Sequence, residues 1–217
     1  ADAPAGNGAI TDGWRSALEV HRTPLVIAGS THEPEELMLL NTLLELRGSI
    51  PDLRLVLAPR HPDRSERLRR RARALSFSTA LWSAGPSSDW AVLLIDRIGP
   101  LAELYRWADV AVVGGSLVPR GGHNPLEAAA VGKSILIGPS SEQFRDLVDG
   151  MLGGGGIRVL PSSGDPAEEL GRSLLELLTD PDQREAMGRR ALGFFRSQRG
   201  TADRYARAVL SRIGRQS

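Results

Sequence analysis

Short apolar runs punctuate this chain, and almost every one breaks off into a polar segment marked by glycine or proline. They lie at 24–29, 53–58, 77–82, 90–95, 109–113, 134–138 and 157–160. Runs of this length are the mark of strands buried on both faces. Between several of them lie stretches with leucine at helical spacing, such as Leu37, Leu40, Leu43, Leu44 and Leu46 after the first. Strand, crossover helix and next strand, repeated, dictate a parallel sheet with helices on both faces. The expected fold is therefore α/β: one doubly wound, Rossmann-like domain over residues 13–217. The small, glycine-containing stretch 1–12 reads as a linker or tail. From residue 165 onward two or three amphipathic helices are expected. Leu170, Leu174, Leu175 and Leu178 should share one face of the first, and Tyr205, Val209 and Leu210 one face of the last.

Composition excludes several classes. A formal net charge of +1 gives no bulk electrostatic case for nucleic-acid binding. The absence of cysteine excludes disulfides and thiolate metal sites and fits a cytoplasmic location. No apolar run approaches the length that spans a bilayer, and no signal peptide is expected. With Ala1 in place of Met, a processed or excised chain is expected.

The run at 109–113 opens into VGGSLVPRGGHNPLEAAA over 113–130, the stretch that carries the chemistry. Glycines let backbone approach a ligand closely, and the free N–H groups of a helix start attract anions. Asn124 is placed to cap the helix and Pro125 to open it. Strand, glycine-rich loop, capped helix and Glu127 one turn in read as a phosphate-and-ribose site, with Glu127 accepting from a ribose diol. Segments of similar polarity follow the other strands: residues 30–33, Arg60-His61, Asp96 and 138–142. In an open parallel sheet these strand ends share one edge, where ligands bind. His32, His61 and His123 all fall on that edge, while His21 does not.

Each candidate has a purely structural reading beside the functional one. His32 would cap a helix, Arg60-His61 would be a solvated strand end, His123 and Asn124 would shape the loop, and Glu127 would complement the helix dipole. The three histidines come from separate loops without a short-range H-x-x-x-H pair, so a metal site is not expected. There is no G-x-S-x-G elbow, no P-loop lysine (Lys133 precedes a strand) and no G-x-G-x-x-G after the first strand. Arg64, Arg67, Arg69, Arg70, Arg71 and Arg73 read as a solvated helix face, with contact to anionic lipid head groups as the alternative.

GGSLVPRGGHNPLE, together with STHEPEE, PRHPDR and GPSSEQF, resembles the 3-deoxy-D-manno-octulosonic acid (Kdo) transferases of lipopolysaccharide assembly, over about residues 22–212. Members of that family have two Rossmann-like domains in the GT-B arrangement and transfer Kdo from CMP-Kdo to the lipid A precursor, with inversion. The resemblance covers the C-terminal, donor-binding half alone. The acceptor site, the membrane-associating surface and the catalytic carboxylate base belong to the other half, so no catalytic residue is expected here. The resemblance implies a cytoplasmic enzyme on the inner membrane's inner face and no cofactor beyond the donor. It places Ser30, Thr31 and His32 by the donor, and Arg60 and His61 at its phosphate or sugar acid. It wraps the phosphate in the loop containing Gly114, Gly115, Ser116, Gly121, Gly122, His123 and Asn124, and sets Glu127 on the ribose. Two departures bear on the sugar side. D-T-M-G-E-L becomes DRIGPL at 96–101, and G-P-H-T-x-N-F becomes GPSSEQF at 138–144. Two other readings share this cleft. One is another GT-B glycosyltransferase or a sugar-nucleotide epimerase; the other is a non-catalytic module that pairs with a separate N-terminal chain.

Overall fold

Alternation along each strand separates two apolar layers, because successive strand side chains point to opposite faces. The computed structural model describes residues 10–19 and 23–213, with side chains to 198. In β1 (Leu25–Thr31), Leu25 and Ile27 enter one layer and Val26 and Ala28 the other. β2 (Arg54–Pro59) divides Val56 from Leu55 and Leu57, and β5 (Val110–Val113) divides Ala111 and Val113 from Val110 and Val112. With β3 (Thr79–Leu81), β4 (Val92–Leu94), β6 (Ser134–Ile137) and β7 (Arg158–Val159) they form one sheet in the order β3-β4-β2-β1-β5-β6-β7. Every neighbouring pair is parallel. The four strands β1, β2, β5 and β6 are buried along almost their whole length, as burial on both faces requires.

α2 (Glu33–Leu46), α3 (Ser65–Ala74) and α7 (Pro166–Thr179) cover one face through Leu40, Leu43, Leu68 and Leu174. α1 (Asp12–Glu19), α4 (Leu101–Leu104), α5 (Leu126–Ala130) and α6 (Arg145–Gly153) cover the other through Trp14, Leu104, Ala129 and Met151. α8 (Pro181–Ile213) joins both layers, with Met187 in the first and Ala191 in the second. This is the doubly wound, Rossmann-like sheet that the apolar runs predict. Among the described residues no helix is long and apolar enough to cross a membrane.

Local packing departs from expectation in four places. The stretch 1–12 is expected to be a linker or tail; residues 1–9 lie outside the described residues, but Ile10 is 3% exposed and its amide donates to Glu103 Oε2 at 3.0 Å. Trp14 then stacks on Trp82, ring centroids 4.2 Å apart, so the fold starts before residue 13. On α2, Leu37 and Leu44 face outward at 40% and 49% exposure, and Leu39 takes the core position instead. On α7, Leu177 joins Leu170, Leu174 and Leu178 in the core while Leu175 sits at its margin. The arginines of α3 are less free than a solvated face implies. Arg67 and Arg71 pair with Glu33, and Arg69 pairs with Glu66. His21 and the Tyr205, Val209 and Leu210 face lie outside the described residues and side chains.

The topology sets the switch point of the sheet. From β1 the chain adds β2, runs out to the edge strand β3, comes back to insert β4 between β2 and β3, and then crosses to the other side of β1 to add β5, β6 and β7. The loops after β1 and β5 therefore leave the sheet side by side at its switch point.

Candidate functional site

The loops after β1 and β5 touch backbone to backbone. The Gly114 amide donates to Gly29 O at 2.8 Å, and a Cβ on Gly114 would lie 2.6 Å from both Ser30 O and Thr31 Cα. Only glycine fits that crossing. Opposite it, Ser30 adopts the left-handed region with φ 56°, at the register break that ends β1. Such a conformation in a non-glycine residue is uncommon and is held by its surroundings.

Glu35 then ties the two loops together. Its side chain is fully buried, and its Oε2 accepts from the amides of His32 and Gly115, each at 2.8 Å. Oε1 accepts from the amides of Ser116 at 3.0 Å and Leu117 at 2.9 Å. One half of this is a capping box at the start of α2. The other half reaches a loop some eighty residues away. The neighbouring Glu36 is buried too. It accepts from the Thr31 hydroxyl at 3.3 Å and from Arg64 Nη2 at 2.7 Å. Burial raises its pKa, and Arg64 opposes that rise.

The three histidines of the sheet edge do come together. His32 and His123 meet Nε2 to Nε2 at 3.0 Å with rings nearly parallel, 12° apart. His61 stands edge-on to His32, ring centroids 6.3 Å apart. Burial lowers the pKa of His32, helped by Arg120, His61 and Arg64 and opposed by Glu35. Burial also lowers that of His123, with His32 and Arg60 adding to the effect. Among the described residues no three His, Cys, Asp or Glu side chains are arranged to hold a metal ion.

At the ends of the same strands lies a cleft of about 230 Å³, walled by Ser30, Arg60, Arg97, Ile98, Leu101 and Glu127, with none of the three histidines in its wall. Arg60 and Glu127 are exposed at its lip. Even so, the surrounding protein raises the Glu127 pKa by desolvation. Ile98 is 90% exposed there, an apolar side chain standing over the opening.

Not every remaining candidate reaches the cleft. Thr31 and Ser116 are fully buried. Thr31 serves Glu36, while the Ser116 hydroxyl donates to Val113 O and accepts from the Gly138 amide. Both shape the site from beneath and neither lines the cleft. The amides of Gly114, Gly115, Gly121 and Gly122 all have protein acceptors, in Gly29 O, Glu35, Ser140 Oγ and Gly115 O. Among the described residues, the loop amides left without a protein acceptor include those of His123 and Asn124, at the entrance to α5. Pro125, not Asn124, holds the N-cap position of that helix; Asn124 stands one residue before it, its Oδ1 accepting from Leu126 N at 2.9 Å. The chief omission from the sequence reading is Glu35, whose local signal was only an acid in the first turn of a helix. Gln143 is a second omission: its backbone amide donates to Gly121 O and its side-chain amide to Arg120 O, closing the far half of the loop.

The architecture recurs in a solved structure. The C-terminal CMP-Kdo binding domain of WaaA from Acinetobacter baumannii superposes with a TM-score of 0.74 at 30% identity, covering 83% of this chain and 91% of that one. The chain belongs to the Kdo transferase family. The 3-deoxy-D-manno-octulosonic acid transferase of Haemophilus influenzae is 32% identical over 183 residues, 83% of this chain. That of Bordetella pertussis is 30% identical over 197 residues, 88% of this chain. The matched regions are 42% and 45% of those two proteins, so this chain spans less than half the length of these Kdo transferases. No family model matches the chain.

Proposed function

We propose that this chain is the CMP-Kdo-binding half of an inverting Kdo transferase that delivers Kdo to the lipid A precursor. The observation that supports the reading is that Arg60 and Glu127 wall one cleft at the sheet's switch point, in a domain of this family, while the paired His32 and His123 stand on the adjoining loops within reach of the Arg60 charge. Arg60 supplies a planar cation suited to two phosphate oxygens. The loop amides of His123 and Asn124 and the imidazoles of His32 and His123 supply further donors to the same anion. Glu127 takes the ribose diol.

In the intact enzyme a carboxylate of the other half removes the proton of the acceptor hydroxyl. That oxygen attacks the anomeric carbon of Kdo directly, and CMP leaves with the bonding pair, inverting the centre. Donors fixed on this side stabilise the negative charge that gathers on the departing phosphate without reorganising at that moment. The reaction needs no cofactor beyond the donor. It belongs at the cytoplasmic face of the inner membrane, with the acceptor and the membrane held by the other half.

Amide NMR of the chain titrated with CMP tests the placement. Shifts concentrated at His32, Arg60, His123, Asn124 and Glu127, absent with UMP at equal concentration, are the expected result. CMP shifts that cluster elsewhere on the domain would contradict it.

A further inference from the structure

A glycine-rich loop is expected to offer its amides to a ligand, yet in this protein the first amides of the loop already hold an anion that the protein itself supplies. The Glu35 carboxylate is fully buried and receives four N–H donors, two on each oxygen, at 2.8–3.0 Å. An ionised carboxylate is acceptor-only, so four converging donors match it completely. Successive amides curled around an anion form the concavity known from phosphate and cluster sites. Here the occupant is tethered.

The consequence reaches the imidazoles. His32 and Gly115 donate to the same oxygen, Oε2, so one atom sets the spacing between the loop after β1 and the loop after β5. Gly115 in turn underlies His123: it has φ +69°, and a Cβ there would lie 2.8 Å from His123 Cδ2. The 3.0 Å approach of His32 to His123 is therefore built on Glu35.

We propose that Glu35 is the positioning residue of this site, an internal anion that folds the glycine-rich loop and brings His32 and His123 into register before any ligand arrives. The Gly115, Ser116 and Leu117 amides then do not contact the donor phosphate, which is left to the far end of the loop. For its effect on the nucleotide, the inference rests on the donor-site reading above. The amide geometry stands apart from it.

Chemical rescue tests the role. Glu35→Ala removes the carboxylate and leaves four donors, three of them buried, facing a hole. Amide exchange at Gly115, Ser116 and Leu117 should accelerate by at least about tenfold, since unsatisfied buried donors favour opening. Formate should restore their protection and the wild-type His32 and His123 imidazole resonances, whereas formamide, equal in size and uncharged, should not. A merely space-filling side chain would respond to both alike. If Glu35→Ala does not fold, Glu35→Gln carries the test. It keeps one acceptor oxygen and turns an NH2 toward two of the amides, so two of the four should lose protection and two keep it. Unchanged protection in a folded variant, or equal rescue by formate and formamide, overturns the proposal. CMP titrations beside these separate the two readings. Wild type that binds no CMP removes the donor site, while the exchange data still decide Glu35. Wild type that binds CMP, with Glu35→Ala weakened and rescued by formate, supports both.

Discussion

His32 and His123 face each other Nε2 to Nε2 at 3.0 Å, so the space between them holds one proton and never two. Both pKa values lie below the ordinary 6.5, chiefly through burial, and Glu35 is the acid that opposes the shift at His32. The unfolded chain therefore binds protons at these positions before the folded one does. Stability linked to the pair is fully present above about pH 6.5 and is lost as pH falls through the lowered folded values. Thermal melts between pH 7.5 and 5 should show a falling midpoint, and His123→Gln should flatten that slope. A slope identical to wild type in His123→Gln would contradict the pairing.

Glu127 sits at the lip of the cleft with solvent on one side, so its loss should not disturb the core. Glu127→Ala should keep the wild-type unfolding midpoint and weaken CMP binding by roughly tenfold or more, the cost of losing hydrogen bonds to a charged group. Titration calorimetry on the two proteins decides it. Equal affinities would remove Glu127 from the site.

Gly114→Ala probes the crossing of the two loops. Its methyl would stand 2.6 Å from backbone atoms of Ser30 and Thr31, which have no rotamer to move aside. Overpacking of this kind costs about 1–3 kcal/mol. Urea unfolding should report a loss of that order, and CMP binding should fall with it because the loop is displaced.

Arg64→Ala should leave the fully buried Glu36 without its cationic partner, the 2.7 Å contact that now offsets its burial. Removing one member of such a pair costs about 3–5 kcal/mol. The Glu36 pKa, already raised by burial, should rise further once Arg64 is gone. A carboxyl with a raised folded pKa contributes stability at low pH that disappears as pH climbs through that value. The deficit relative to wild type should therefore be larger at pH 7.5 than at pH 5 in urea melts. A deficit independent of pH would argue against a buried charge.

What could be read in the sequence was local or topological. Each strand announces itself by its own apolar residues, and parallel topology then sends the strand ends to one edge, so the meeting of His32, His61 and His123 followed from order alone. Contacts between distant loops carried no such signal. Glu35 looks like any acid in the first turn of a helix until Gly115, Ser116 and Leu117 are brought beside it. Ser116 resembles a ligand contact in a glycine-rich motif, but its hydroxyl is buried under the loop between Val113 O and the Gly138 amide. On α2 the leucines are dense enough to draw a stripe through either Leu37 and Leu44 or Leu39 and Leu46. Packing against β1 and β2 chooses the second. Ile10 was hidden for the opposite reason, as one apolar anchor in a stretch of small polar residues.

Calorimetric titration of the chain with CMP, with UMP as the control, is the decisive measurement. CMP should bind with an affinity that UMP does not match, and that affinity should fall in Glu127→Ala. Equal binding of CMP and UMP, or none of either, would contradict the assignment of this cleft to a cytidine nucleotide.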